Sequence, residues 1–155
     1  KGQNMKRTII SDIDGTLADL SHRLHHIRPG PGQRKNWAAF FDEVIYDKPI
    51  VDNKLILESL LLGAGCHVVY VSGRMERCRA ATERWLDALR FPAGRVFMRR
   101  DGDYRPDYTV KEEILDRHLK LTPADVLFVL DDRDQVVDMW RTRGFRVLQV
   151  ADGAF

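Results

Sequence analysis

Thr8-Ile-Ile-Ser-Asp12-Ile-Asp14-Gly-Thr16-Leu17 is the stretch whose reading decides the fold. Arg7 to Ser11 reads as a buried strand, and Asp12, Asp14 and Gly15 then leave it in a tight turn. Carboxylates crowded at a strand end repel one another in a partly dry cleft. An oxygen-loving divalent cation such as Mg2+ removes that cost and keeps waters free for a substrate phosphate.

Working outward, three further segments place charged or hydroxyl groups beside a predicted strand end: Ser72-Gly73-Arg74, Lys111, and Asp131-Asp132. Strands are expected over Cys66–Val71, Arg95–Met98, Asp125–Leu130 and Arg146–Val150. Helices are expected over Asp52–Leu62, Met75–Leu89, Tyr108–His118 and Arg133–Arg143. This alternation predicts a three-layer α/β fold, a mainly parallel central sheet covered on both faces. Ligands in such sheets bind beyond the carboxyl ends of the strands, near the switch in strand order. All four segments obey that rule, although Asp-Gly and Asp-Asp met singly are often only turn or capping residues. Composition turns irregular between Leu20 and Pro49, where Pro29-Gly-Pro-Gly32 interrupts the chain and Trp37–Phe41 restarts it as a short helix. That insertion follows the first acidic turn and is expected to overhang the site.

The 155 residues, 44% of them hydrophobic, bound the chain to one domain with a sheet core. Lys and Arg number 25 against 23 Asp and Glu, so the net charge of +2 implies no strong field over the whole surface. Cys66 and Cys78 lack metal-ligand spacing and read as reduced thiols, with a disulfide as the alternative. No apolar run reaches the roughly 20 residues that span a bilayer, and Lys1–Lys6 has no secretory core. A soluble, cytoplasmic protein is expected, with Lys1–Met5 as a linker or cloning remnant.

Asp12-Ile-Asp-Gly-Thr-Leu17, Val71-Ser-Gly-Arg74, Lys111 and Leu130-Asp-Asp-Arg133 resemble the four motifs of the haloacid dehalogenase superfamily of phosphohydrolases. The likeness extends to one branch, the 3'-phosphatase domains of polynucleotide kinase-phosphatases of the T-even phage type. Tyr104-Arg105, Asp107, Val110–Ile114, Gln135-Val-Val137, Met139-Trp-Arg141, Gly144 and the closing Gln149-Val-Ala with Gly153 and Phe155 carry it. It covers nearly the whole chain and departs over His22–Pro49, which is longer here and different in content. No Gly-x-x-x-x-Gly-Lys-Ser/Thr loop occurs, so the kinase half is absent from this sequence.

The resemblance implies roles. Asp12 attacks phosphorus and forms an aspartyl-phosphate, and Asp14 serves as general acid and then base, a task that calls for a carboxyl raised toward neutrality. Ser72, Gly73 and Thr16 meet the phosphate, Lys111 supplies fixed positive charge, and Asp12, Asp14, Asp131 and Asp132 hold Mg2+, which Mn2+ or Co2+ replaces. Arg23 and Arg74 match arginines needed for phosphatase action. Asp107 matches an acidic group on the substrate side, or else caps the helix that carries Lys111. The implied reaction is removal of 3'-phosphate from DNA or RNA ends and from 3'-nucleotides, in end repair, beside a kinase on the same parent chain and in a phage-infected host. A small-molecule 5'-nucleotidase of the same superfamily and an inactive binding domain are the alternatives.

Other residues read as structure. His22, His25 and His26 lack a carboxylate at helical spacing and make a poor zinc signal. Trp37, Phe40 and Phe41, spaced i, i+3, i+4, fit a packed helix face better than a base-stacking surface. Trp85 and Trp140 read as core with indole nitrogens near the surface. Arg95, Arg99, Arg100 and Arg105 read by default as a solvated basic face.

Overall fold

Residues 7–154 are described by the computed structural model; Lys1–Met5, expected as a linker, and Phe155 lie outside them. In chain order the elements are β1 (Thr8–Ser11), β2 (Ala18–Asp19), α1 (Trp37–Asp42), β3 (Lys48–Pro49), α2 (Val51–Ala64) and β4 (His67–Met75). They continue as α3 (Arg79–Ala88), β5 (Gly94–Arg99), α4 (Asp107–Ile114), β6 (Val126–Asp131), α5 (Asp134–Thr142) and β7 (Val147–Gln149).

Five strands form one parallel sheet in the order β5-β4-β1-β6-β7. β1 is central and buried along its length because its side chains alternate between two cores. Ile10 packs with Val69, Val129, Ile114 and Trp140 on one face, while Ile9 packs with Leu57, Tyr70, Trp85 and Leu130 on the other. The apolar run therefore carries no polar alternation, as expected of a strand covered on both sides. From β1 the chain moves outward through β4 and β5, then returns to β6 on the opposite side of β1. The reversal of strand order falls between β1 and β6, and their carboxyl ends deliver Asp12 and Asp131 to that crevice.

At two places the bounds differ from expectation by more than two residues. β4 continues to Met75 instead of yielding to a helix there, with a register shift between Ser72 and Met75 where it pairs with β5. Edge pairing overrides the helical pattern of the sequence, and α3 starts only after a 3-10 turn over Glu76–Cys78. The helix expected over Tyr108–His118 stops at Ile114 and ends in a wider π turn, Leu115–Leu119.

The insertion is pinned at its neck by the short antiparallel pair β2–β3, Ala18 against Pro49 and Asp19 against Lys48, which the sequence did not announce. Within it a 3-10 turn spans Ser21–His26, and α1 buries Phe40 and Phe41 against Val44, Met75, Cys78 and Met98. Cys66 and Cys78 are free thiols. Among the described residues no helix is long and apolar enough to cross a membrane.

Candidate active site

Asp12 leaves β1 with its amide still donating to Leu130 O at 2.9 Å, so its carboxylate is fixed beside the end of β6. Lys111, one turn into α4, donates from Nζ to Asp12 Oδ1 at 2.7 Å and to Asp131 Oδ2 at 3.0 Å. All three are buried, and so is Asp132. Burial would lower Lys111, but Asp107, Asp12 and Asp131 outweigh it and hold the ammonium well above its ordinary value. The carboxylates feel the opposite imbalance. Burial pushes Asp12 well up, Lys111 pulls it back, and Asp131 and Asp132 add to the rise. Burial and Asp131 push Asp132 to about 6.

One ammonium among these acids leaves the cluster short of positive charge. Asp12, Asp131 and Asp132 each offer an oxygen within 4.8 Å of the others, a hard-oxygen donor set without His or Cys. Such donors suit Mg2+ better than a thiolate- or imidazole-seeking metal. Thr16, expected to meet phosphate, is instead buried, with its hydroxyl donating to Asp132 Oδ1 at 3.4 Å. Its carbonyl accepts from Asn53 Nδ2 at 2.7 Å, which ties the turn to α2. Gly15 has φ +80°, and a Cβ there would run into the Asp132 carboxylate.

Asp14 turns away from this cluster. Its Oδ1 accepts from Arg23 Nη2 at 2.9 Å and from Arg74 Nη2 and Nε at 2.6 and 3.0 Å. Burial alone would raise Asp14, but the two guanidinium groups hold it below the ordinary carboxylate value. The expectation of an Asp14 raised toward neutrality is thus corrected: its close neighbours are arginines, not carboxylates. Both arginines are fully buried and share a second acid, Asp47, which the sequence reading passed over. Asp47 accepts from Arg23 Nε and Nη2 at 2.7 Å each and from Arg74 Nη2 at 2.7 Å. His22 Nε2 lies 2.8 Å from Asp47 Oδ1, and Trp85 Nε1 donates to the Asp47 carbonyl at 2.7 Å. That indole is therefore buried rather than near the surface; Trp140 Nε1 is buried as well, with no hydrogen-bond partner.

Ser72 is buried, and its Oγ accepts from Arg74 N at 3.1 Å, bracing the bulge while the adjacent Gly73 lines the cavity. A Cβ on Gly73 would collide with Asp107. Asp107 opens α4 as its first residue without a side-chain cap, which removes the capping role. Its Oδ1 accepts from Arg99 Nη2 at 3.1 Å, and its Oδ2 lies 3.4 Å from Lys111 Nζ. Arg99 also donates to the carbonyls of Gly73 and Arg105, so it is a structural tie between loops and not a solvated surface group.

Above the carboxylates lies a cavity of about 450 Å3. Asp12, Asp14, Lys111, Asp131 and Asp132 line its polar floor, and Leu24, Ile27, Trp37, Phe40 and Met75 one wall. A larger hollow of about 650 Å3 along β5 contains none of these groups.

Residues 6–155 match the family model of the polynucleotide kinase PNKP phosphatase domain. A protein named as a bifunctional polynucleotide kinase/RNA ligase, from Autographa californica nuclear polyhedrosis virus, is 26% identical over 144 residues, 90% of this chain and 18% of the viral protein. A chain in the structure of the Pnkp1/Rnl/Hen1 RNA repair complex superposes with a TM-score of 0.78 at 30% identity, over 100% of this chain and 45% of that one. A haloacid dehalogenase-like hydrolase from Streptococcus pneumoniae gives 0.65 at 15% identity, over 94% of this chain and 84% of that one. At that distance the likeness shows the fold, the haloacid dehalogenase type of α/β architecture. The chain spans less than half the length of the viral protein and of the repair-complex chain.

Proposed function

The chain belongs to the family of polynucleotide kinase PNKP phosphatase domains, and from that premise we propose that it is a Mg2+-dependent 3'-phosphatase in nucleic-acid end repair. Its substrates are 3'-phosphomonoesters at DNA or RNA ends and 3'-nucleotides. In this reading 1–155 is a single phosphatase domain with 20–49 as its insertion, acting beside a kinase on the same parent chain. The naming of the viral relative as a kinase/ligase, and the repair complex that holds the structural relative, support that placement.

One observation carries the chemistry: Asp12 faces the cavity with Lys111 Nζ 2.7 Å away, while Asp14, two residues on, is held by a separate arginine pair. The two acids thereby receive different tasks. A free oxygen of Asp12 forms a bond to phosphorus as the bond from phosphorus to the sugar oxygen breaks, and the departing oxygen takes a proton from Asp14. Water then attacks the aspartyl-phosphate, gives its proton to Asp14, and releases inorganic phosphate and a free Asp12. Lys111 offsets charge on the nucleophile and on the transferring group, and Gly73, with Ser72 behind it, holds phosphoryl oxygens. Asp12, Asp131, Asp132 and the Asp14 carbonyl would hold Mg2+, or Mn2+ or Co2+ in its place, a positive charge that screens carboxylate from phosphate.

Substituting Asp12→Asn or Asp14→Asn abolishes release of inorganic phosphate from a 3'-phosphorylated oligonucleotide. Wild-type release by both variants would sink the mechanism, and a preference for 5'-phosphates in side-by-side rates would overturn the substrate.

A further inference from the structure

We propose that the apolar wall of the cavity is a nucleobase subsite, with Trp37 and Tyr104 as stacking residues and Lys35 placed for the neighbouring backbone phosphate; the proposal rests on the phosphatase reading above. The three residues of α1 that share a helical pattern do not share an environment. All three line the cavity, but Phe40 and Phe41 are buried in the core whereas Trp37 is 43% exposed. The core reading of this trio therefore holds for the phenylalanines alone.

Trp37 is exposed but not loose. Its ring stacks on Phe41 at 6.0 Å between centroids and meets the edge of Phe40 at 5.8 Å. Asn36 Oδ1 caps α1 by accepting from Ala39 N at 3.1 Å. Two aromatic neighbours thus brace an indole that still reaches solvent, and a braced aromatic surface loses little entropy when a flat ligand settles on it. Tyr104, on the loop between β5 and α4, is 80% exposed and lines the same cavity. Lys35 Nζ lies 5.7 Å from the Trp37 ring centroid, so positive charge accompanies the aromatic surface.

The two sides of the cavity sort the possible alcohols. A phosphate seated on the carboxylate and lysine floor shares one cavity with Leu24, Ile27 and Trp37, the apolar surface available to its ester group. A sugar or polyol offers hydroxyls that gain nothing from such a wall, whereas a base offers an apolar π face. The volume of about 450 Å3 is that of a site for one small molecule.

The test uses wild type, Trp37→Ala, Trp37→Phe and Tyr104→Ala on short oligonucleotides carrying a 3'-phosphate on either a normal or an abasic terminal sugar. Loss of stacking on the Trp37 surface raises KM about tenfold for the base-bearing end. The abasic end suffers a clearly smaller penalty, and Trp37→Phe restores most of the difference. Equal penalties on the two substrates, or none on either, overturn the subsite.

Binding gives a readout independent of turnover, because Trp85 and Trp140 are buried and Trp37 dominates the solvent-sensitive emission. A 3'-nucleotide quenches that emission in wild type and not in Trp37→Phe, while ribose 3-phosphate leaves it unchanged. Should wild type release no phosphate from 3'-ends, the phosphatase reading falls on that result. The quenching comparison still decides the base subsite, and equal quenching by the two ligands rejects it.

Discussion

Arg74 donates twice to one oxygen of Asp14, from Nη2 at 2.6 Å and from Nε at 3.0 Å. With Arg23 it overcomes burial and holds Asp14 below the ordinary carboxylate value, so the resting acid is ionised and must acquire a proton before it can protonate a leaving group. A phosphomonoester brings one as its monoanion, below a second pKa of about 6. We therefore expect kcat/KM to peak at about pH 6, since below it Asp12 and Asp132 take up protons, and to fall about tenfold per unit above it. Arg74→Lys keeps a charge but loses the fork, so the rate drops about 100-fold, while the falling limb, set by the substrate phosphate, stays in place. A flat profile between pH 6 and 9, or a wild-type rate in Arg74→Lys, contradicts this assignment.

Asp47 is the buried counter-charge that keeps both arginines in place, 24 residues from one and 27 from the other. Removing one partner of a buried ion pair typically costs about 3–5 kcal/mol because the remaining charge is left without compensation. Asp47→Ala is expected to lose about that much stability in urea unfolding, and Asp47→Asn less, since an amide oxygen still accepts a hydrogen bond. Activity falls in both, because Arg23 and Arg74 no longer meet Asp14 in one geometry. Unfolding free energies within about 0.5 kcal/mol of wild type would show that the arginines are held by other contacts.

The contrast between Asp12 and Asp47 shows what sequence carries and what it does not. Asp12 was legible because β1 is buried on both faces, leaving an apolar run that stops at an acid and a glycine. The Asp131-Asp132 pair stood out by the same logic of strand end and turn, and Lys111 by its place near the start of a helix after the third expected strand. Asp47 lies in an irregular insertion, beyond its one helical stretch, and its meaning arises only when β2 and β3 close the neck and bring it under Arg74. The depressed Asp14 was hidden for a related reason. Its sequence neighbours are acids, and its spatial neighbours come from the Ser21–His26 turn and the bulge of β4. Trp37 was misjudged because helical spacing marks a common face without saying where the core stops along it.

Gly15 allows a paired comparison with Gly65. Both have positive φ, but a Cβ on Gly15 meets the Asp132 carboxylate, whereas one on Gly65 meets nothing within 4 Å. Gly65→Ala is expected to cost only the backbone term, about 1–2 kcal/mol, with Mg2+ affinity unchanged. Gly15→Ala bears the same strain and also displaces Asp132, so Mg2+ affinity measured by calorimetry falls about tenfold or more. Equal Mg2+ affinities in the two variants would remove Asp132 from the metal site.

The raised Asp132 fixes the sign of a stability test. Its carboxyl lies at about 6 in the folded chain against an ordinary 3.8, so between those values the folded state binds more protons than the unfolded state. The contribution of this group to stability is therefore greatest below pH 4 and declines as pH rises through about 6, the reverse of a salt-bridged acid. Asp12 shifts in the same direction and adds to the decline. Bound Mg2+ cancels the repulsion responsible, so its effect grows where the carboxylates are ionised. At about 100 times Kd the gain is about 2.7 kcal/mol, a Tm rise of roughly 5–10 °C for a chain of this size. We expect that rise at pH 7.5 and a much smaller one at pH 5. Asp132→Asn should flatten the metal-free decline and abolish most of the Mg2+ response, judged as the difference from wild type across pH so that other titrating groups cancel. A Mg2+ shift larger at pH 5 than at pH 7.5 would mean that the ion binds elsewhere.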